Sequence, residues 1–214
     1  MLALLHTSPV HVPVFDALRD RDHPGVTLRH LVREDLLARA VAEGPDAVAP
    51  EVARLIAGAV ADGAGAVLCT CSTIGAVAEA GAGDHGIPVL RVDRPMAAAA
   101  VAAGGPIVVV AALRDTLEPT VALIRAEAAA RNRSGPAPRT LLVAGAWDRF
   151  RAGDRDGYLD LVAAAVDTVS DAGVIVLAQA SMADAADRTS TAVPVLSSPR
   201  TGLRAAVVAR APGR

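Results

Sequence analysis

Short apolar runs and longer amphipathic stretches alternate along the whole chain. Runs such as PIVVVAA and GVIVLAQA are apolar at successive positions, as in strands that helices cover on both faces. The segments between the runs are rich in Ala, Leu, Arg and Glu, which is typical of helices. The alternation therefore predicts an α/β fold with parallel sheets. The expected strands are residues 2–5, 26–32, 64–69, 87–92, 107–112, 140–144, 173–178 and 193–196.

Three pairs of segments repeat in the same order at nearly one spacing. One chance match between apolar strands would not be surprising, but three in register predict a duplicated unit. We therefore expect two flavodoxin-like lobes related by a pseudo-two-fold axis. Ligands of such sheets bind beyond the carboxyl ends of the strands, so equivalent strand ends should share one cleft. The matched pairs are 4–18 with 110–124, 66–78 with 174–186, and 87–101 with 193–207.

The composition narrows the classes of function. Hydrophobic residues make up 52% of the 214 positions, which suits one large or two small compact domains. The formal net charge is only -2 and both signs are interspersed, so no basic face indicates nucleic acid or a membrane surface as a partner. No apolar run reaches the roughly 18 residues of a membrane span. We expect a cytoplasmic protein that binds a small molecule.

Cofactor chemistry is restricted by one missing residue type. All 21 basic residues are arginine, which excludes an internal Schiff base with pyridoxal phosphate and the lysine of a phosphate-binding P-loop. The five histidines are scattered, and no Cys-x-x-Cys or His-Glu-x-x-His spacing indicates a metal site. The sequence therefore predicts neither a cofactor nor a metal.

Both cysteines lie in the stretch AVLCTCSTIG, where an apolar run ends. We expect free thiols on opposite sides of the strand end, with Cys69 as a small apolar core residue. Cys71 would then face a helix N-terminus, where unpaired N–H groups and the helix dipole favour a thiolate. The same N–H groups, together with Ser72 and Thr73, can hold a carboxylate.

Four segments resemble motifs of the aspartate/glutamate racemase superfamily, which includes hydantoin racemase, maleate isomerase and arylmalonate decarboxylase. The resemblance covers essentially the whole chain, and Cys71, Ser72 and Thr73 stand where the family has its Cys-Asn-Thr motif. It implies a cofactor-independent enzyme whose thiolate moves a proton on a carbon next to a carboxylate. The segments are CTCSTIG at 69–75, TLEPT at 116–120, LAQASM at 177–182 and VPVLSSPR at 193–200.

The resemblance also implies a domain organisation and a set of site residues. In this family the C-terminal segment returns to the first lobe, so we expect one lobe of residues 1–95 plus 196–214 and another of residues 96–195. Cys71 is the candidate catalytic thiol and His6 a candidate partner acid. The candidate substrate-binding residues are Thr7, Ser72, Thr73, Thr116, Gln179, Ala180 and Ser181.

Structural interpretations stay open beside these assignments. His6 follows the first strand and is equally compatible with a hydrogen bond to a loop carbonyl. Thr116 opens a helical segment and suits an ordinary helix N-cap, a role that does not prevent it from binding a ligand. Gln179 ends a buried strand, where backbone hydrogen bonds would also explain an uncharged polar residue.

One departure from the family bears on the reaction. The family's racemases have a second cysteine at the position of Gln179, and glutamine cannot exchange a proton at neutral pH. One-base reactions remain open, including decarboxylation and isomerisation through a thiol adduct. The leading hypothesis is a racemase-like or isomerase-like enzyme for a small amino acid or related acid. The alternatives are a single-cysteine decarboxylase or lyase and a non-catalytic carboxylate-binding homologue, and a homo-oligomer is compatible with each.

Overall fold

The computed structural model describes residues 1–210. These residues form two compact units: the first is Met1–Val92 with the chain from Pro199 onward, and the second is Asp93–Ser198. Each unit contains one four-stranded sheet in which every strand pair is parallel. The α/β class with parallel sheets that the apolar runs predict is therefore confirmed.

All eight expected strands are present, most of them one to three residues shorter than the apolar runs. The described residues include four 3₁₀ helices, at Pro45–Val48, Ala82–Asp84, Arg114–Thr116 and Ala180–Arg188. In chain order the other elements are β1 (Leu2–His6), α1 (His11–Asp22), β2 (Leu28–Val32), α2 (Glu34–Glu43), α3 (Ala49–Ala61), β3 (Ala66–Cys69), α4 (Ser72–Ala80), β4 (Val89–Arg91), α5 (Arg94–Ala103), β5 (Ile107–Ala111), α6 (Leu117–Ala130), β6 (Arg139–Leu142), α7 (Ala146–Arg151), α8 (Arg155–Asp167), β7 (Val174–Leu177), β8 (Val195–Leu196) and α9 (Pro199–Ala209).

The two sheets have the same strand order. The order is β2-β1-β3-β4 in the first sheet and β6-β5-β7-β8 in the second. In each unit the strand that comes first in the chain is therefore central in the sheet and pairs with the next two strands of the unit. The matched sequence segments thus fold into equivalent elements, and the internal duplication is confirmed at the level of topology. The central strands β1, β3 and β7 are fully buried, and β5 is buried except at its first residue, Ile107, in agreement with their apolar sequences.

In the first unit, alternate residues of the central strands belong to two separate apolar clusters. Leu5, Val67 and Cys69 pack with α2, α3 and α4 on one face of the sheet. Leu4 and Leu68 pack with α1 and α9 on the other face. This period of two is the direct consequence of strand geometry, and it decides which side of the sheet each polar residue at a strand end will face.

Helix α9 packs so closely on the end of β4 that one of its positions has no room for a side chain. A Cβ at Gly202 would collide with the carbonyl oxygen of Val92 and lie 2.5 Å from its Cγ2. We expect Gly202→Ala to lower the free energy of unfolding by at least about 2 kcal/mol, because backbone atoms cannot rotate away. Urea unfolding measures the difference.

Gly58→Ala is the matched control for this substitution. Gly58 also lies within a helix, α3, but a Cβ there meets no atom within 4 Å. Alanine is expected to leave stability unchanged or raise it by up to about 1 kcal/mol, through helix propensity alone. Equal effects at the two glycines would contradict the packing described for α9.

Candidate functional site

Polar residues follow the carboxyl ends of both central strands in the first unit. Thr7 follows β1, and Thr70 and Cys71 follow β3, so the three lie at the same edge of one parallel sheet. Thr7 and Thr70 are buried, whereas Cys71 is half-buried. The edge therefore brings a partly accessible thiol together with two hydroxyl groups, as the sequence predicts for Thr7 and Cys71.

Cys71 stands at the junction of β3 and α4. Its backbone is extended, with φ -109° and ψ 120°, and it is the N-cap residue of the helix that begins at Ser72. Its side chain accepts no hydrogen bond from the helix, so the sulfur does not satisfy the N–H groups of the first turn. The thiol thus lies beside the first turn of α4 without capping the helix.

Cys69 is fully buried and both cysteines are free thiols, as predicted. The expectation that the two thiols lie on opposite sides of the strand is wrong. Residues two apart on an extended chain point to the same face, and Cys71 packs against the apolar cluster that contains Cys69. Cys69 differs from Cys71 in depth, and its thiol lies 3.6 Å from the Cys71 carbonyl oxygen.

The first turn of α4 supplies the groups that the sequence predicts for holding an anion. Ser72 and Thr73 are both buried, with 6% and 7% of their surface exposed. The backbone N–H groups of a helical first turn have no acceptor within the helix, and the helix dipole adds partial positive charge there. This arrangement suits a carboxylate close to the Cys71 thiol.

His6 ends β1 and is fully buried, with both ring nitrogens engaged. Its Nδ1 lies 2.7 Å from Thr70 Oγ1, and its Nε2 lies 2.8 Å from Nδ1 of His30 on β2. Nε2 of His30 in turn lies 3.3 Å from Oδ1 of Asp16 on α1. Neither nitrogen of His6 is open to a substrate, so the geometry favours an indirect role for His6 over that of a direct acid.

Burial keeps two neighbouring histidines neutral. Desolvation, followed by the proximity of His11 and His30, lowers the pKa of His6 to about 3. Desolvation lowers the pKa of His11, on α1, to about 4. The His6 ring lies 6.0 Å from that of His11 and 5.6 Å from Phe15, centroid to centroid. At neutral pH both histidines are therefore hydrogen-bonding groups without charge.

In the second unit Gln179 occupies the place that Cys71 has in the first. It lies two residues beyond β7 and is the N-cap of the 3₁₀ helix Ala180–Arg188. Its Oε1 accepts hydrogen bonds from the backbone N–H groups of Ala112, at 2.7 Å, and Leu113, at 3.1 Å. Because these partners are donors, the oxygen must face them, and the amide NH₂ group is left directed away from them.

The remaining predicted residues of the second unit have mainly structural surroundings. Ser181 shares a 2.8 Å hydrogen bond with the hydroxyl of Tyr158 on α8, and burial raises the pKa of that tyrosine. Ala180 is buried beside it. Thr116 is the N-cap residue of α6 without a side-chain capping bond, and its carbonyl accepts from Thr120. The Thr116 hydroxyl therefore does not cap the helix.

Three residues at or near the strand ends of the first unit were not identified from the sequence: Asp16, His30 and Thr70. His30 pairs in register with Leu4, so it lies on the same face of the sheet as His6. The signal available in the sequence was a histidine at an alternate position of the second strand, LRHLV, which is unusual beside a buried neighbour.

Three further properties of the described residues concern the site. Among residues 1–210, no group of three or more His, Cys, Asp or Glu side chains could hold a metal ion. No helix in that range is long and apolar enough to cross a membrane. A cavity of about 530 Å³ in the second unit is lined by α5, α6 and residues 133–138 at the amino end of β5, away from the polar strand ends.

The fold and the strand-end residues define a class: an α/β protein built from two copies of one parallel-sheet unit, with a thiol at a strand end of the first copy. The chain belongs to the Asp/Glu/hydantoin racemase family, whose sequence profile matches residues 12–206. No curated protein matches it by sequence.

Solved structures share this fold at low sequence identity. A glutamate racemase isoform from Bacillus anthracis superposes with a TM-score of 0.73 at 14% identity, over 97% of this chain and 80% of that one. The aspartate racemase of Picrophilus torridus gives a TM-score of 0.67 at 12% identity, over 97% and 92%. Arylmalonate decarboxylase gives 0.61 at 19% identity, over 100% and 94%.

Proposed function

We propose that the protein is a cofactor-independent racemase-like or isomerase-like enzyme that uses the Cys71 thiolate to transfer a proton α to the carboxylate of a small amino acid or related acid. The observation that carries the proposal is the position of Cys71, half-buried between a strand end and the first turn of α4. Membership in the racemase family supports the same chemistry.

The proposed reaction begins with the substrate carboxylate on the N–H groups of the first turn of α4, beside Thr73. The thiolate then takes the α-proton, so the S–H bond forms while the electron pair of the C–H bond moves into an enolate. The donors that held the carboxylate stabilise the enolate, because the charge that develops stays on the same oxygens. Return of the proton from the thiol completes exchange at carbon.

Gln179 favours a second candidate, a decarboxylase or lyase of the same family. Its amide cannot supply a proton at neutral pH, so Cys71 is the one thiol proposed to act on the α-carbon. In a decarboxylation the C–C bond to a carboxylate breaks, carbon dioxide leaves with no proton, and the Cys71 thiol protonates the carbanion on one face. This course needs a single acid and no second base.

The experiment that separates these candidates is product analysis on a panel of amino acids, malonates and hydantoins. Loss of optical activity from one enantiomer supports racemisation, in which case a further group must act on the second face. Release of carbon dioxide with a product of one configuration supports the decarboxylase. Binding without any turnover across the panel would contradict both and favour a carboxylate-binding protein.

Gln179→Glu tests the proposed role of the glutamine amide in substrate binding. The carboxylate can still accept from the N–H groups of Ala112 and Leu113, so the fold should be at least as stable. It replaces an NH₂ donor by a negative charge, which repels a substrate carboxylate. We expect KM to rise at least about 10-fold, because the charged substrate carboxylate loses one hydrogen bond.

Thermal unfolding of Gln179→Glu is the control that separates binding from folding. Gln179→Met provides a second comparison, because it keeps the length of the side chain but supplies neither the acceptor nor the donor. An unchanged KM in both variants would show that the glutamine only ties the end of β7 to the backbone after β5.

A further inference from the structure

A chain of hydrogen bonds runs from the surface of the first unit to the residue before the candidate thiol. Asp16 on α1 is 39% exposed in its side chain and meets Nε2 of His30. The His30 and His6 rings lie edge to edge and nearly coplanar, with an interplanar angle of 18° and centroids 5.1 Å apart, and they share the 2.8 Å Nδ1–Nε2 contact. His6 then reaches Thr70, whose hydroxyl also lies 3.1 Å from the carbonyl oxygen of Leu5.

The same heavy-atom positions accommodate two arrangements of protons. With His30 neutral, its Nε2–H donates to Asp16, so its Nδ1 must accept from Nε2–H of His6. Nδ1 of His6 then accepts from the Thr70 hydroxyl. Each of these three contacts joins one donor to one acceptor with only Asp16 charged, and the Thr70 hydroxyl makes no hydrogen bond to the Leu5 carbonyl in this arrangement.

One additional proton at His30 reverses the arrangement. Both His30 nitrogens are then donors, so Nε2 of His6 must accept and its proton must lie on Nδ1. Nδ1–H of His6 donates to Thr70, whose own hydroxyl donates to the Leu5 carbonyl. The chain ends at that carbonyl, so a proton that enters at His30 changes the direction of the hydrogen bonds but is not conducted onward.

We propose that Asp16 and His30 are positioning residues that set the tautomer of His6 and, through Thr70, hold the segment that carries Cys71. Proton uptake at His30 switches His6 from the Nε2–H tautomer to the Nδ1–H tautomer. Thr70 directly precedes Cys71, and its backbone N–H donates to the Leu5 carbonyl at 3.0 Å. The state of the chain thus decides whether Thr70 makes one or two hydrogen bonds to that carbonyl.

The electrostatic surroundings agree with this switch. The low pKa of His6 keeps it neutral, so it responds to its neighbour by changing tautomer instead of charge. The charged and titratable groups around the histidine pair are Asp16 and Arg19 on α1, with Arg19 at 3.2 Å from Asp16, and His11 beside His6. Asp16 is the acidic residue that contacts Nε2 of His30, at 3.3 Å.

The tautomer of His6 can be observed directly, without a substrate. Long-range ¹H–¹⁵N correlation spectra of ¹⁵N-labelled protein between pH 8 and pH 5 should show His6 changing from Nε2–H to Nδ1–H. In Asp16→Asn the carboxylate that faces His30 is lost, so a smaller fraction of His6 should be in the Nδ1–H tautomer at pH 5 than in the wild type. A single His6 tautomer across this range in the wild type would overturn the switch.

Kinetic measurements test the positioning role, and this part of the test rests on the proposed function. We expect His30→Gln to lower kcat about 10-fold with KM within about two-fold, since a displaced thiol slows the chemistry more than it weakens binding. Asp20→Asn is the control, because Asp20 also lies on α1 and pairs with Arg19 but makes no contact with His30.

A double-mutant cycle completes the test. If His30 acts through Thr70, Thr70→Val should add little to the loss of kcat caused by His30→Gln. A tautomer change in the spectra with unchanged kcat in His30→Gln would overturn the positioning role and leave the switch. If no carboxylate is turned over, the proposed function fails, and the spectra still decide the switch.

Discussion

Cys71→Ala is expected to lower the turnover number at least about 10³-fold, which is the scale of removing a group that gives and takes a proton in the rate-limiting step. Cys71 is half-buried and takes no part in capping α4, so the substitution should leave the fold intact. Turnover of the carboxylate identified by product analysis, with thermal unfolding alongside, measures both effects.

Cys69→Ala is the matched control for the thiol. Cys69 is fully buried within the cluster under α2, α3 and α4, so its loss should cost about 1 kcal/mol of stability and little activity. Iodoacetamide should alkylate Cys71 in the folded protein and leave Cys69 unmodified until unfolding. Activity lost in Cys69→Ala but retained in Cys71→Ala would reverse the assignment of the two thiols.

A second large effect is expected from pH. The free energy of unfolding should fall by about 3 kcal/mol as the pH is lowered from 6.5 to 5. In the folded protein the pKa values of His6 and His11 are lowered to about 3 and about 4, from 6.5 in the unfolded chain. The unfolded state therefore binds more protons below pH 6.5. Stability is fully present above that pH and is lost as the pH falls, by up to about 1.4 kcal/mol per unit for each histidine.

Urea unfolding at intervals from pH 7.5 to pH 5 measures this slope. His11→Asn should remove about half of it, and His23→Asn, outside the cluster, should retain it. A free energy of unfolding that is the same at pH 7 and pH 5 would contradict the buried neutral state of the pair.

The fold could be predicted from the sequence because its main signals are local. Apolar runs bounded by Gly and Pro mark the strands, and the 106- to 108-residue repeat marks the duplication. The strand ends were less well predicted, since residues such as Ala112 and Ala178 are apolar and buried but lie beyond their strands. Burial and strand pairing are separate properties, and the amino-acid composition of a segment indicates only burial.

The candidate site was predicted only in part, for reasons that are also physical. Cys71 and Gln179 each lie two residues beyond the end of a strand, so topology alone places them at sheet edges. The partners of His6 come from α1, β2 and the end of β3, and nothing local in the sequence joins them. The expectation that Cys69 and Cys71 face opposite sides of the strand was wrong, because residues two apart share a face.

Proton removal from carbon by the Cys71 thiolate can be measured as α-proton exchange. Wild type and Cys71→Ala are incubated in D₂O with the same panel of amino acids, malonates and hydantoins, and the α-proton signal is followed by proton NMR. We expect deuterium at the α-carbon of at least one carboxylate with the wild type and none with the variant. Exchange at equal rates in the two proteins, or none with either while the carboxylate still binds, would contradict this expectation.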